Sequence, residues 1–394
     1  MSMDFSTPDD LAEHRDAAKT WVRDNVRSEW AEEQYRTGTH ETLELHALLA
    51  RSGVLGAGWD KEYGGSDTDP GLAKAIIDEI RGLGIAGDGW ATTNMVIRTI
   101  HHVGTEEQKR TLIPAALRGE LLIALGYSEP DSGSDVAAAK TAAFRDGDEW
   151  VINGQKMFTS SAQVCTHVFV LARTNPSVPK HRGLTMFLVP TDAAGFERQP
   201  IYTLGGQQTN ATFYTDIRVP DSARIGDVDE GWGVMRVALV FERGGAARGS
   251  STHTLSEAVA QWARGTRGED GSVLFEDPST KERLGRIAVD EEVARLLGLR
   301  VRWMSECGEL PGVEGSMAKL FNSESALRHY SDVVDFLGDS GTLQPGAIDA
   351  PMGGKIEAGL RAAQVGTIYG GSSEIQREII AERRLGLPRV RPNG

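Results

Sequence analysis

The sequence predicts an α+β protein in which a β-domain stands between two helical domains along the chain. Apolar residues recur at helical spacing as far as about Arg118 and again from Gly231 onwards, whereas they alternate between about Leu122 and Ile225. At 394 residues the chain is also too long for one compact core. We therefore predict a helical N-terminal domain, a central β-domain and a helical C-terminal domain over residues 1–121, 122–228 and 229–394.

The N-terminal region shows helical periodicity, clearest in the apolar series Leu72, Ala73, Ile76, Ile77 and Ile80. Residues 82–87 follow that series directly and match GxGxxG, the pattern of dinucleotide-binding loops. Such a loop needs a strand before it, and a helix is predicted there instead. The match is therefore not expected to bind a dinucleotide.

The central region contains short alternating runs bounded by Gly, Pro and Asn, which is typical of β-strands. The clearest runs cover residues 167–171, 183–189 and 212–214. Asn153-Gly154 stands between two further alternating segments, 150–152 and 155–160. Because Asn-Gly is the strongest short signal for a hairpin turn, we expect these segments to be two strands joined at Asn153 and Gly154.

The C-terminal region returns to helical spacing, interrupted by a polar, glycine-rich link at 265–271. Residues 234–241 are nearly apolar all round, which predicts a helix buried on most faces. Residues 338–341 read GDSG, as around the nucleophile of a chymotrypsin-like protease, but residues 330–337 before them have helical spacing. A turn that ends a helix is predicted there.

Composition excludes several classes of function. The formal net charge is −14, and no Lys/Arg run with interleaved aromatic residues occurs, so a nucleic-acid partner is not expected. The two cysteines, Cys165 and Cys307, are far apart, which gives neither a disulfide framework nor a zinc site and fits a reduced cytoplasm. The acidic N-terminus lacks an apolar signal segment, and no run of eighteen apolar residues predicts a membrane span. We expect a cytoplasmic protein without a metal site.

The polar segment from Tyr127 to Ser134, YSEPDSGS, is the strongest candidate for a ligand-binding loop. Pro130 and Gly133 interrupt strand pairing, so the N–H groups and hydroxyls of this loop are expected to face an anionic or heteroaromatic ligand. An ordinary surface turn has the same composition. Composition alone does not separate these alternatives.

The ordered pair YSEPDSGSD and WVINGQKMFTSSA resembles the flavin-binding segments of the acyl-CoA dehydrogenase family. The resemblance implies FAD as cofactor and a barrel-like central domain between two helical domains. It also implies that Tyr127 and Ser128 contact the isoalloxazine edge, that Phe158 stacks near the ring and that Ser160 bonds its N5/O4 side. Phe158 replaces the Trp of many relatives, and Ser128 and Ser160 replace Thr.

The same resemblance implies further ligand contacts in all parts of the site. The residues assigned to the cofactor are Leu125, Tyr127, Ser128, Ser134, Phe158, Ser160, Arg264, Gly338, Tyr369 and Ser372. Those assigned to the acyl-CoA substrate are Ser134, Arg243, Gly370 and Gly371.

Glu242 is the candidate catalytic base. It follows the apolar helix 234–241, where a carboxylate is costly to bury unless it is paired, and its neighbour Arg243 does not share its helical face. Neutralising a cation on another helix is therefore the structural alternative. In the family the base stands either in a Tyr-Glu-Gly-Thr segment, where this chain has Gly370, or in a Glu-Arg pair, as in isovaleryl, long-chain and actinobacterial sterol-side-chain types. Glu242-Arg243 resembles the second arrangement.

The predicted activity is dehydrogenation of an acyl-CoA thioester to the trans-2-enoyl-CoA, with electrons passed to an electron-transfer flavoprotein. Two alternatives stay open: a flavin monooxygenase of the same fold, and one subunit of a heteromeric dehydrogenase. Small residues at 244–247 and 370–371 predict a branched or bulky acyl group, or equally tight helix packing.

Assembly is also left open between a homo-oligomer, dimer or tetramer, and a heterotetramer with a homologous subunit. Homotetrameric relatives hold a neighbour's FAD through an Arg-x-x-Phe pair and a Gln. Here Arg264 keeps the first position, whereas Arg267 and Asp335 stand in the other two. Asp335 would repel the anionic pyrophosphate.

Overall fold

The computed structural model describes residues 10–246, 254–268, 271–307, 309 and 312–388, except for the side chains at 10–12, 243–246 and 305–306. The described chain forms two compact units. One contains residues 10–203 and 207–242, and the other contains the described residues between 243 and 388 together with the short loop 204–206.

Six helices precede the first strand. They are α1 (Asp10–Asn25), α2 (Glu29–Thr37), α3 (Leu43–Arg51), α4 (Pro70–Gly82), α5 (Asp88–Val103) and α6 (Glu106–Leu117). Local signals set their starts: the Asp69 carboxylate accepts from the N–H of Leu72 at 2.9 Å, with Pro70 in the first turn of α4. Thr105 and Gln108 form a reciprocal capping box on α6. The GxGxxG match lies at the end of α4, after a helix, as predicted.

An eight-stranded, mostly antiparallel sheet follows. Its strands are β1 (Ile123–Gly126), β2 (Ala142–Asp146), β3 (Glu149–Lys156), β4 (His167–Arg173), β5 (Leu184–Pro190), β6 (Phe196–Tyr202), β7 (Gln208–Pro220) and β8 (Arg224–Ile225). The order across the sheet is β6-β7-β3-β2-β4-β5-β8, and β1 pairs in parallel with β4. The three alternating runs recognised in the sequence are all strands.

Strands β4 and β5 are buried on both faces, which explains their continuous apolar sequences. Phe169 and Leu171 of β4 face a core shared with helices α5, α6 and α7 (Gly231–Ala246). Val168 and Val170 alternate with them and face a second core, formed with Trp150 and strands β3 and β7. Helix α7 is thereby packed against the sheet, and it carries Glu242.

The predicted turn at Asn153-Gly154 is wrong. Strand β3 runs through both residues, and the hairpin turn lies earlier, at Gly147, whose φ is 65°. The Asn-Gly pair instead stands at a β-bulge against β7: the Asn153 side chain bonds both the N–H and the carboxylate of Asp216. Gly154 is required because a Cβ there would lie 2.7 Å from the Cα of Thr141.

The second unit is helical. It contains α8 (Leu255–Gly265), α9 (Pro278–Glu306), α10 (Val313–Leu337), α11 (Lys355–Gly366) and α12 (Ser373–Arg383). Four of these helices, α8 to α11, share a core that includes Val259, Ile287, Val333 and Ile356. The GDSG match forms a 3-10 turn directly after α10, as predicted. Within the ranges given above, every helix is too short or too polar to span a lipid bilayer.

Candidate active site

Backbone hydrogen bonds hold the loop 127–134 at residues 128, 129 and 132. Glu129 and Ser132 exchange two N–H to carbonyl bonds of 2.9 and 3.1 Å, and the N–H of Met157 donates to the Ser128 carbonyl at 2.9 Å. The expectation that this backbone lacks partners is therefore wrong for Glu129 and Ser132, because the turn closes on itself. The rigid loop still presents side chains at its start.

Tyr127 begins the loop with a hydroxyl that is buried and has no hydrogen-bond partner among the described residues. Its ring packs against Phe169 with centroids 6.3 Å apart. Burial raises the pKa of Tyr127 well above its ordinary value, and the negative charge of Glu242 raises it further. A buried, unpaired phenol is an unusual feature that a polar ligand atom would satisfy.

Phe158 and Ser160 follow β3 on a segment with unusual backbone geometry. Phe158 is 60% exposed and has a φ of 60°, and Ser161 has a φ of 62°. Such values are strained for non-glycine residues and occur often at functional sites. The hydroxyl of Ser160 lies 3.2 Å from that of Thr209, which fixes its direction. An exposed aromatic ring and an anchored hydroxyl thus stand two residues apart.

A buried ion pair connects this segment to the loop. The ammonium of Lys156, which is fully buried, lies 2.8 Å from a Glu129 carboxylate oxygen and donates to the Tyr127 carbonyl at 3.2 Å. The N–H groups of Lys140 and Thr141 also donate to the Glu129 carboxylate. Burial alone would raise the pKa of Glu129, but Lys156 and these bonds hold it below its usual range.

Glu242 lies on the last described turns of α7 and is half-buried. It follows Ala238, a core residue, by four positions, so it extends the face of α7 that packs on the sheet. Its negative charge helps to raise the pKa of Tyr127, the first residue of the candidate flavin loop. The Arg243 side chain lies outside the described residues.

The other two candidates in this unit, Leu125 and Ser134, differ in their surroundings. Leu125 is half-buried in β1 and packs against the core that contains α7. Ser134 is exposed beside Asp135, whose carboxylate pairs with Lys180 at 2.7 Å.

The C-terminal candidates form a second group, in the helical unit. Tyr369 is 62% exposed, Gly370 and Gly371 have φ values of 65° and 88°, and Ser372 caps α12 through the N–H of Ile375. The buried Lys319 and Gln376 hold this turn by donating to its carbonyls: Lys319 to Gly371 at 2.8 Å, and Gln376 to Gly370 at 2.9 Å. Positive φ at both positions accounts for the two glycines.

Arg264 and Gly338 lie elsewhere in this unit. The Arg264 guanidinium stacks over the ring of Phe275 at 4.2 Å, and Arg267 donates to the Gly271 carbonyl. An aromatic partner for Arg264 therefore comes from Phe275 rather than from position 267. Gly338 ends α10 with a φ of 58°, and Asp335 before it is exposed.

Comparison of the sequence with models of known protein families identifies the family of this chain. The acyl-CoA dehydrogenase N-terminal, middle and C-terminal domains match residues 8–120, 124–217 and 229–385. The chain belongs to the acyl-CoA dehydrogenase family. It is an oxidoreductase acting on the CH–CH group of acyl-CoA, in a family whose members are flavoproteins.

Acyl-CoA dehydrogenase relatives match over most of their length. Acyl-CoA dehydrogenase FadE26 of Mycobacterium tuberculosis is 36% identical over 354 residues, 88% of each chain, and acyl-CoA dehydrogenase IpdE1 of the same organism is 33% identical over 96% of this chain and 98% of its own. The solved Tcur3481-Tcur3483 steroid ACAD shows 34% identity and a TM-score of 0.86 over 98% of this chain and all of its own. The ChsE4-ChsE5 complex from Mycobacterium tuberculosis shows 32% identity and a TM-score of 0.83, with the same coverage.

Sequence reasoning missed the residues that support the acyl-CoA dehydrogenase segments. Lys156 occupies an inward position of β3, on the same face as the buried Trp150 and Ile152. A lysine at a position where the alternating pattern predicts an apolar residue could have indicated a buried ion pair. Lys319 and Gln376 carried no such signal, because their partner carbonyls lie 52 and 6 residues away on a turn.

Proposed function

We propose that this protein catalyses the FAD-dependent α,β-dehydrogenation of an acyl-CoA thioester to the trans-2-enoyl-CoA, and passes the electrons to an electron-transfer flavoprotein. The observation that carries the proposal is the match to all three acyl-CoA dehydrogenase domains, over residues 8–120, 124–217 and 229–385. Glu242 on α7 supports it further, because its negative charge helps to raise the pKa of Tyr127, a residue that the family resemblance assigns to the flavin edge.

The first unit offers groups that fit a flavin. The unpaired hydroxyl of Tyr127 is available to a ring heteroatom, the exposed ring of Phe158 is available for stacking, and Ser128 and Ser160 supply hydroxyls. Leu125 adds apolar surface. We assign Ser134, Arg264, Gly338, Tyr369 and Ser372 to the rest of the cofactor, and Ser134, Arg243, Gly370 and Gly371 to the substrate. When bound, FAD supplies the acceptor for the hydride from the β-carbon.

Glu242 is the base in this proposal. A half-buried carboxylate on a helix packed to the core is held in place, so its oxygen can take the α-proton of a bound thioester without losing much side-chain freedom. Gly370 stands where the other branch of the family has its acid. The segment 369–372 therefore supplies turn geometry rather than a proton acceptor.

Replacing Glu242 tests the assignment. Glu242→Gln is expected to bind FAD and acyl-CoA but to turn over at least about a hundredfold more slowly, the scale of a lost acid/base group. Glu374→Gln is the matched comparator, because Glu374 is the acid nearest Gly370 in sequence, and it is expected to lose far less activity. Bleaching of the flavin absorbance by acyl-CoAs without oxygen is the readout. Near-normal bleaching by Glu242→Gln would refute the role.

We further propose a branched or bulky acyl group, of the steroid type, as substrate. The support is the similarity to the Tcur3481-Tcur3483 steroid ACAD, together with the small residues at 244–247 and 370–371. Rates of flavin bleaching with butyryl-CoA, a branched acyl-CoA and a steroidal thioester test this. Equal or faster reaction with butyryl-CoA contradicts it.

We propose that the chain has three domains, at 1–121, 122–228 and 229–394, and forms an oligomer. The oligomer contains either copies of this chain alone or this chain together with a homologous second chain. The ChsE4-ChsE5 complex supports the second form, and the stacking of Arg264 on Phe275 supports the first, since it keeps an Arg-aromatic pair. Flavin occupancy of the chain expressed alone separates them. About one FAD per chain rules out an obligatory second subunit, whereas poor flavination that is corrected by a homologous partner rules out the self-sufficient homo-oligomer.

A further inference from the structure

A buried ion pair links the two segments that the proposed function assigns to the flavin ring. Lys156 stands two residues before Phe158, and its ammonium bonds the Tyr127 carbonyl and the Glu129 carboxylate. We propose that Glu129 and Lys156 are positioning residues, which hold the Tyr127–Ser128 and Phe158–Ser160 segments at the separation that the flavin ring requires. This inference rests on the proposed function.

The pair also connects the loop to the chain just before β2. The Glu129 carboxylate accepts from the N–H groups of Lys140 and Thr141, at 2.6 and 2.8 Å, where the chain enters β2. Together with the bond from Met157 to the Ser128 carbonyl, these contacts fix the loop to β2 and to the end of β3. Movement of either flavin segment would therefore break bonds to a buried charge.

Fold stability alone does not account for such a pair. Two buried charges lose their hydration, and an apolar pair of similar size is often as stable or more stable. The charges instead fix the orientation of the side chains, because the Lys156 ammonium donates to the Glu129 carboxylate and the Tyr127 carbonyl at the same time. Tyr127 in turn carries the unpaired hydroxyl that is offered to the ligand.

An exposed ion pair on the same loop provides a natural control. Lys140 pairs with Asp131 of the loop at 3.1 Å, and both side chains are about three-quarters exposed. An exposed pair contributes little to geometry or stability. Lys140→Met therefore removes a lysine side chain that pairs with this loop, while the N–H of residue 140 can still donate to the Glu129 carboxylate.

The test compares Lys156→Met, Glu129→Gln, the double variant and Lys140→Met in the full-length chain. FAD affinity is measured by fluorescence titration of apoprotein, visible circular dichroism reports the surroundings of the bound flavin, and urea unfolding reports apoprotein stability. We expect both single variants to lose stability and to bind FAD at least about tenfold more weakly. The double variant is expected to regain most of the stability, since no buried charge is left unpaired, but to keep the weak binding and an altered dichroism.

The double variant separates positioning from simple structural support. If its FAD affinity and dichroism return to wild-type values together with stability, the pair is only structural and the proposal is overturned. Lys140→Met that weakens FAD binding as much as Lys156→Met overturns it as well. A wild-type chain that binds no FAD, either alone or with a homologous partner, contradicts the proposed function itself, which is a different result from wild-type binding that the variants leave unchanged.

Discussion

Two buried carboxylates, each beside a basic side chain, reach opposite protonation states in this protein. Glu129 and Lys156 lie in the β-domain with their charged atoms 2.8 Å apart. Glu41 and His46 lie in the N-terminal helical region, with the nearest Glu41 oxygen and His46 nitrogen 4.0 Å apart. All four side chains are almost completely buried.

The pKa values diverge because the hydrogen bonds differ. Burial raises the pKa of Glu41 to about 8, even though the N–H groups of Trp90 and Gly89 at the start of α5 lower it. Burial lowers the pKa of His46 to about 4, and neither ring nitrogen has a hydrogen-bond partner in the described part of the chain. Glu129 has a lowered pKa, because Lys156 and two backbone donors outweigh burial.

The comparison shows that contact, not proximity, stabilises a buried charge. The nearest Glu41 oxygen and His46 nitrogen are about an ångström further apart than the charged atoms of Glu129 and Lys156, and they make no direct bond. With pKa values of about 8 and about 4, Glu41 and His46 are both neutral at pH 7. The β-domain pair stays ionised near pH 7, because the pKa of Lys156 falls only to about 8: burial lowers it and Glu129 opposes the shift. Both pairs add a pH dependence to folding, because all four pKa values are shifted, but only the ionised pair also adds directional bonds.

The largest expected effect comes from removing one charge of the bonded pair. Lys156→Met is expected to lower the free energy of unfolding by about 3–5 kcal/mol at pH 7, because it leaves the buried Glu129 without its cation. Urea denaturation of the apoprotein measures this. A loss below about 1 kcal/mol would mean that Glu129 is not ionised in the wild-type protein.

Glu41→Gln is expected to flatten the pH dependence of stability above pH 6.5. Between the ordinary carboxyl pKa and about 8 the folded protein keeps a proton on Glu41 that the unfolded chain has lost, so wild-type stability falls as the pH rises. The slope is at most about 1.4 kcal/mol per pH unit for one proton. Unfolding curves from pH 6.5 to 8.5 measure it. Parallel curves for Glu41→Gln and wild type would contradict the raised pKa.

His46→Leu is expected to change stability by less than about 1 kcal/mol at pH 7, because the imidazole makes no hydrogen bond that is lost. Its effect should grow in acid. The folded protein keeps His46 neutral down to about pH 4, whereas the unfolded chain binds a proton near pH 6.5, so wild-type stability falls as the pH decreases through that range. The variant should lack this fall. Thermal unfolding at pH 5 and 7 tests it, and an unchanged acid dependence would show that His46 is already charged in the fold.

The smallest effect is expected for Lys140→Met, which breaks an exposed ion pair and should change the free energy of unfolding by no more than about 1 kcal/mol. The measurement sharpens the comparison, because Lys140 and Lys156 both pair with acids of one loop and differ in burial. A loss as large as that of Lys156→Met would mean that solvent exposure does not decide the worth of a pair here.

Much of the fold could be predicted from local pattern. Helical and alternating periods placed the β-region between two helical regions, because burial on one or two faces imposes those periods. The Asn-Gly turn failed since the same two residues also suit a bulge, and only the register with β7 distinguishes the two uses. The pairing of Glu41 with the start of α5, 49 residues away, depends on tertiary packing that no local pattern records.

The candidate site shows the same division. Tyr127, Phe158 and Glu242 could be proposed from motifs, which record residue type and order. The unpaired Tyr127 hydroxyl, the positive φ of Phe158 and the reach of Lys156 across the loop are properties of the folded backbone. They depend on the tertiary structure and could not be obtained from the sequence, although the alternating pattern of β3 does place Lys156 at an inward position.

The bulge between β3 and β7 protects the sheet against misalignment. Before it, Thr212 and Tyr214 of β7 are buried; after it, Ile217 and Val219 are, so the inward positions change from even to odd at the extra residue. A uniform strand can slip by two residues and keep its apolar side inward. Here such a slip moves the extra residue away from Asn153, and the two halves of β7 can no longer both bury their apolar side chains. The irregularity thus permits only one alignment of the strand that lies next to Lys156.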